Sequence, residues 1–229
     1  MFFFWDWTFL LLIPALILAV YAQSKVKGAY AQYSRVRSGS GMTGAQVARN
    51  LLDRNGLSQV RIERIPGVLS DHYDPRTGVL KLSEDVYSSR SVAALGIAAH
   101  ESGHAIQHGV GYSPLMFRNS FVPVANFGSS LAFPLFILGF LFSGPLKVLM
   151  DAGIILFSLA VVFHVVTLPV ELDASRRALA LLNREGILAP NELTAARKVL
   201  NAAAWTYLAA AAMAALQLLR LILLRGQRD

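Results

Sequence analysis

The sequence predicts a mainly α-helical, polytopic membrane protein with about four membrane helices and a small α+β segment in the cytoplasm, and three observations carry that expectation. The 229 residues are 55% hydrophobic and only 15% charged, with a mean hydropathy of +0.48, too apolar for an ordinary soluble domain of this length. Four runs, 2–22, 121–142, 148–168 and 202–224, reach the roughly 20 residues that a helix needs to cross a hydrocarbon core. Between the first two lies the longest polar stretch, about 24–120, in which strand-like alternation precedes a helix carrying His100-Glu101-Ser102-Gly103-His104.

The first run carries a single charge, Asp6, and lacks the basic start of a secretory signal, so it reads as an uncleaved anchor. Lys25, Lys27, Arg35 and Arg37 follow closely, which puts the N-terminus outside and the polar stretch in the cytoplasm. There, Ser38-Gly39-Ser40-Gly41 reads as a flexible link, and Thr43 can cap a helix whose apolar positions are Val47, Leu51 and Leu52. Asn55-Gly56 ends it. Val60 and Ile62 alternate with Arg61 and Glu63 as in a half-exposed strand, and Asp74-Pro75-Arg76-Thr77-Gly78 forms a turn before a second strand over 79–82. That second strand either offers an open edge, to which a peptide substrate can bind by strand addition, or belongs to an interior hairpin.

Runs two and three form a hairpin about Gly144-Pro145 and return the chain to the cytoplasm near Glu171, where 169–201 is expected to form a helix of its own. The last run is weaker. Residues 209–212 are only mildly apolar, Arg220 lies inside it, and a true span would put Arg225 and Arg228 outside against the charge bias, so it either spans or lies along the interface. The whole chain, 1–229, reads as one membrane domain. Its net charge of +7 follows from basic residues on a cytoplasmic face, and no nucleic-acid-binding motif is present.

On a helix, residues four apart are offset by only about 40°, so His100 and His104 can reach one ion from the same face. Glu101 falls beside them, too close in sequence to be a convenient third ligand but placed to take a proton from a water on the metal. With five His and six Glu in the chain, chance gives this spacing roughly 0.003 times per sequence. A non-catalytic histidine pair is the plain alternative. There is no cysteine, so a zinc ion, Zn2+, would be held by His and carboxylate alone.

Catalytic zinc takes three protein ligands and keeps one position for water. His108 is displaced by about 80° and two turns from His100, which suits a surface or supporting role better. Glu171 opens a polar cluster, Glu171-Leu172-Asp173-Ala174-Ser175-Arg176-Arg177, directly after the third apolar run, and either completes the shell or is an ordinary interfacial carboxylate. His164, two turns before it and inside the run, invites a functional reading but serves equally as a packing residue. For an oxyanion donor, His72, Arg176, Arg177 and Tyr207 stand unranked.

The strings Ala98-Ala99-His100-Glu101-Ser102-Gly103-His104-Ala105-Ile106-Gln107-His108 and Leu168-Pro169-Val170-Glu171-Leu172-Asp173-Ala174-Ser175-Arg176-Arg177 closely resemble those of the bacterial YugP-like neutral zinc metallopeptidases. The resemblance covers nearly the full length, including the anchor and the loop Ser70-Asp71-His72-Tyr73-Asp74-Pro75. It implies His100, His104 and Glu171 as zinc ligands, Glu101 as general base and a zincin-like cytoplasmic segment. The chain is more distantly similar to the HtpX-type and CAAX-prenyl-protease-type membrane peptidases, which carry an Asp four residues after the ligand Glu, bonded to a zinc histidine. Here Ser175 stands in that place, and Asp173 would point about 160° away from Glu171 in a regular helix.

The function expected is therefore a zinc metalloendopeptidase of the inner membrane, working on protein or peptide substrates at the cytoplasmic face, with the lipid bilayer as its other partner. An intramembrane site-2-type protease is the first alternative, but it buries the motif in a longer span, whereas here Ser88-Ser89-Arg90 and His108-Gly109 bracket it. A metal-stapled scaffold or chaperone adaptor is the second. Glu101 argues against it, because a structural site has no use for a base.

Overall fold

The computed structural model describes residues 6–142 and 144–227. Residues 2–5 of the first predicted run, and Arg228, lie outside the described residues. A 3-10 turn, Trp7–Leu12, leads into α1 (Ile13–Tyr33), followed by α2 (Gly44–Arg54), β1 (Arg61–Ile65), β2 (His72–Asp74), β3 (Val79–Ser83), α3 (Glu84–Tyr87), α4 (Val92–Gly109) and α5 (Ser113–Leu141). A second 3-10 turn, Gly144–Lys147, precedes α6 (Val148–Arg184) and α7 (Pro190–Gly226). Four helical stretches, Trp7–Tyr33, Ser113–Leu141, Gly144–Arg184 and Pro190–Gly226, are long and apolar enough to cross a membrane. The chain divides into two compact units.

One unit gathers the chain up to Ala22, Phe117–Pro169 and the chain from Thr206 onward. Phe136, Met150 and Leu221 are fully buried at its centre. A Cβ on Gly153 would stand 2.6 Å from the Ala132 carbonyl oxygen and one on Gly139 2.7 Å from the Met150 nitrogen, so the glycines let α5 and α6 meet backbone to backbone. Asp6 accepts from the Thr8 N–H at 2.8 Å and from Arg220 Nη2 at 3.1 Å, while Asp151 accepts from Arg225 Nε at 2.8 Å. The C-terminal end of α7 thus sits with the cap of the 3-10 turn ahead of α1 and with the first turn of α6, as a fourth span requires. Arg220 and Arg225, which weakened that run in the sequence, come paired with acids, and pairing lowers the cost of a charge at depth.

The other unit gathers Gln23–Met116 and Val170–Trp205 around a core that includes Leu51, Leu52, Leu80, Leu82, Leu95 and Leu182. α2 starts on a reciprocal cap: Gln46 N–H donates to Thr43 Oγ1 at 3.3 Å and Thr43 N–H to Gln46 Oε1 at 2.8 Å. The helix ends at Gly56, whose φ of +74° suits glycine. The segment 38–41 is not a loose link. Ser38 N–H donates to the Arg90 carbonyl at 2.9 Å and Gly39 N–H to Glu192 Oε1 at 2.7 Å, partners too distant in sequence for composition to reveal.

The sheet runs β1-β3-β2, with β1 parallel and β2 antiparallel to β3. Of the two readings of 79–82, an open edge or an interior hairpin, the structure bears out the interior one. His72–Asp74, read as loop because three residues are too few to display alternation, is a third strand, so β3 is paired on both sides. The edge beside α4 is β2. The helix expected over 169–201 is also divided: α6 continues through Pro169 to Arg184, and α7 begins at Pro190. A proline inside a helix removes one hydrogen bond without always ending it, whereas Pro190 sits at a first helical position, where its missing N–H costs nothing.

Candidate metal centre

α4 carries the histidines through the core rather than along a surface. Ser91 caps it, its hydroxyl accepting from the Ala94 N–H at 3.2 Å, and nearly every residue from Val92 to Gln107 is buried. Gly103 faces α6, where a Cβ would stand 2.8 Å from the Ala174 carbonyl oxygen, so a glycine is what lets these backbones approach. Their approach brings Glu171 and Ser175 against His100 and His104. Gly103→Ala is expected to force the helices apart at a cost of about 1–3 kcal/mol. Affinity for any ion that the three residues would hold should fall with it by roughly 10-fold or more. Thermal unfolding with and without zinc reads both, and an unchanged protein would show that the contact has slack.

Glu171 Oε2 lies 3.3 Å from His100 Nε2 and 3.4 Å from His104 Nε2, and one ligating atom from each of the three residues falls within 4.8 Å of the others. Two donors held at 2.0–2.1 Å by a tetrahedral zinc stand about 3.3–3.4 Å apart, so the two distances from Glu171 to the imidazoles fit that ion. All three are largely buried. It is the one such group found among the described residues.

Each histidine is also held by its other nitrogen, which leaves Nε2 for an ion. His100 Nδ1 is 3.1 Å from Ser175 Oγ, and His104 Nδ1 is 3.0 Å from Gln107 Oε1. Gln107, fully buried, donates its amide N–H groups to the Val170 carbonyl and to Asp173 Oδ2, both at 2.9 Å. Arg176 and Arg177 close on Asp173 in turn. Asp173 therefore bonds neither histidine directly, yet reaches His104 through an amide.

Glu101 is 8% exposed, and its Oε2 accepts from the Tyr73 N–H of β2 at 3.1 Å. Burial pushes its carboxyl up to about 7; His100 and the Tyr73 N–H oppose this, and Glu171 and Asp71 add to it. A cation on the neighbouring histidines would favour the carboxylate form.

The remaining candidates from the sequence stand outside the trio. His108 Nδ1 is 2.9 Å from the Tyr73 hydroxyl, and exposed His72 places Nδ1 2.9 Å from the Ser70 carbonyl. Arg176 and Arg177 are engaged by Asp173, and the Arg177 guanidinium lies 5.6 Å over the Tyr112 ring. His164 and Tyr207 belong to the other unit. Sequence reasoning missed Gln107 and the Tyr73 N–H. The first had a signal, since it stands three residues past His104 and so on the same helical face; the second depends on a strand that pattern could not show.

Two helix histidines and a buried carboxylate meeting at one point, in a chain with four helices fit to cross a membrane, are what a membrane metallopeptidase needs. The chain belongs to the family described as "Putative neutral zinc metallopeptidase", whose model matches residues 8–226. Within reach of that family stands a relative from Bacillus subtilis (strain 168), the "Putative membrane protease YugP". It is 48% identical over 214 residues, 93% of this chain and 94% of the relative. No solved structure matches the chain.

Proposed function

We propose that the whole chain is a single membrane zinc endopeptidase, with a zincin-like segment that hydrolyses peptide bonds of protein substrates at the cytoplasmic face of the cell membrane. The observation that carries this reading is the convergence of His100 Nε2, His104 Nε2 and Glu171 Oε2 beside a buried Glu101. The family description and the relative's name support it. His100, His104 and Glu171 would hold zinc, with a fourth position left for water, as in catalytic sites. The ion, when bound, supplies Lewis acidity that acidifies a water and polarises a carbonyl.

The protein's own residues do the rest. The Tyr73 N–H orients Glu101 through Oε2, leaving Oε1 to receive the proton of the attacking water. Glu101 passes that proton to the leaving amine: a hydroxyl joins the carbonyl carbon, a hydrogen joins the nitrogen, and the C–N bond breaks. An extended peptide binds by strand addition at the outer edge of β2, next to Glu101, which keeps sequence preference weak.

Purified full-length protein in detergent should cleave an unstructured peptide, stop when a chelator removes zinc, and resume when zinc returns. A zinc-loaded protein inactive on a broad peptide panel would favour the scaffold alternative. Orientation has its own test. The basic residues Lys25, Lys27, Arg35 and Arg37 put a reporter at Gly39 in the cytoplasm, and reporters at Gly144 and after α7 outside. The reverse labelling would overturn the charge argument.

A further inference from the structure

We propose that Gln107 is a positioning residue that dictates the tautomer of His104, holding the proton on Nδ1 and presenting a bare Nε2 toward Glu171; the consequence for zinc rests on the reading of His104 as a ligand. A glutamine amide can face a histidine with either its oxygen or its nitrogen, and which it does decides where the imidazole proton sits. In this site the choice is closed. The amide nitrogen of Gln107 meets the Val170 carbonyl and Asp173 Oδ2, both at 2.9 Å. A carbonyl only accepts, and both Asp173 oxygens are acceptors here, taking N–H groups from Arg176 and Arg177. Flipping the amide would set oxygen against oxygen twice inside a fully buried pocket.

With its nitrogen so committed, Gln107 offers only Oε1 to His104 Nδ1, 3.0 Å away, and an acceptor there requires the imidazole to carry its proton on Nδ1. In the neutral ring Nε2, 3.4 Å from Glu171 Oε2, is then a lone pair and not an N–H. His100 is held differently. Its Nδ1 faces the Ser175 hydroxyl at 3.1 Å, and a hydroxyl rotates to donate or accept, so Ser175 permits either tautomer. The chain therefore places an amide, backed by a carboxylate, where a carboxylate or carbonyl more often stands behind a metal histidine.

The test is nitrogen NMR of metal-free, full-length protein carrying 15N-labelled histidine, in detergent, with zinc affinity measured by chelator competition on the same samples. In the wild type, His104 should be protonated on Nδ1. Gln107→Met keeps the volume without the amide, and should release His104 from that single tautomer and weaken zinc binding about 10- to 100-fold. Asp173→Asn still offers an acceptor oxygen beside the Val170 carbonyl and should keep the tautomer.

A neutral His104 protonated on Nε2 in the wild type would overturn the proposal, and that reading needs no variant to fold. A Gln107→Met protein with tautomer and zinc affinity unchanged would overturn it too, as would loss of the tautomer in Asp173→Asn. If the tautomer follows Gln107 but no peptide is ever cleaved, the peptidase reading fails and this one stands; cleavage with a tautomer indifferent to Gln107 has the opposite meaning.

Discussion

Glu101→Gln is expected to keep zinc and the fold while cutting peptide hydrolysis about 10²- to 10⁴-fold, the usual contribution of a positioned acid–base group. The amide preserves the shape, and its oxygen can still accept from the Tyr73 N–H. It cannot take a proton from water. Because the carboxyl is buried and pushed up to about 7, replacing it with a neutral amide removes a desolvation cost instead of adding one, so stability should not fall. Steady-state cleavage of one peptide, with zinc content and thermal unfolding measured on the same preparation, checks all three parts. Unchanged hydrolysis would remove Glu101 from the mechanism.

Glu171→Ala is expected to lose zinc affinity and activity together. The substitution deletes the oxygen that stands 3.3 and 3.4 Å from the two imidazole nitrogens and leaves only the two proposed ligands on α4. Since altering a group behind a ligand already costs 10- to 100-fold, removing a ligand should exceed roughly 100-fold. Asp173→Ala makes the comparison sharp. It leaves His100, His104 and Glu171 in place and touches His104 only through Gln107, so its loss should be the milder of the two. The opposite ranking would mean that the wrong carboxylate had been chosen.

What the sequence made legible and what it hid divide along physical lines. Local patterns were readable: the i, i+4 histidines, the Thr43 cap, the Asn55-Gly56 stop and the apolar runs each lie within a few turns of chain. Glu171 stood out because polarity returns abruptly after an apolar run. Three strand residues at 72–74 were too few to show a period, so the sequence left open whether β3 is an edge or an interior strand, and β2 makes it interior. Ser38-Gly39-Ser40-Gly41 has the composition of a linker, yet Arg90 and Glu192 pin it. The pairs Asp6–Arg220 and Asp151–Arg225 join residues far apart in the chain, so each arginine in isolation argued against a span that its partner makes tolerable. Ser175 in place of an acid looked like a gap behind the proposed metal ligands, and the structure fills it with the Ser175 hydroxyl at His100 and the Gln107 amide at His104.

The central claim is that one zinc, held by His100, His104 and Glu171, works with Glu101 to hydrolyse peptides. Its most direct test is zinc content and peptide cleavage measured in parallel on full-length wild type, Glu101→Gln and Glu171→Ala. The expected result is one zinc per chain in the first two, little or none in the third, and cleavage in the wild type alone. Wild type that binds no zinc after zinc-supplemented purification, or that cleaves equally well without it, would contradict the claim.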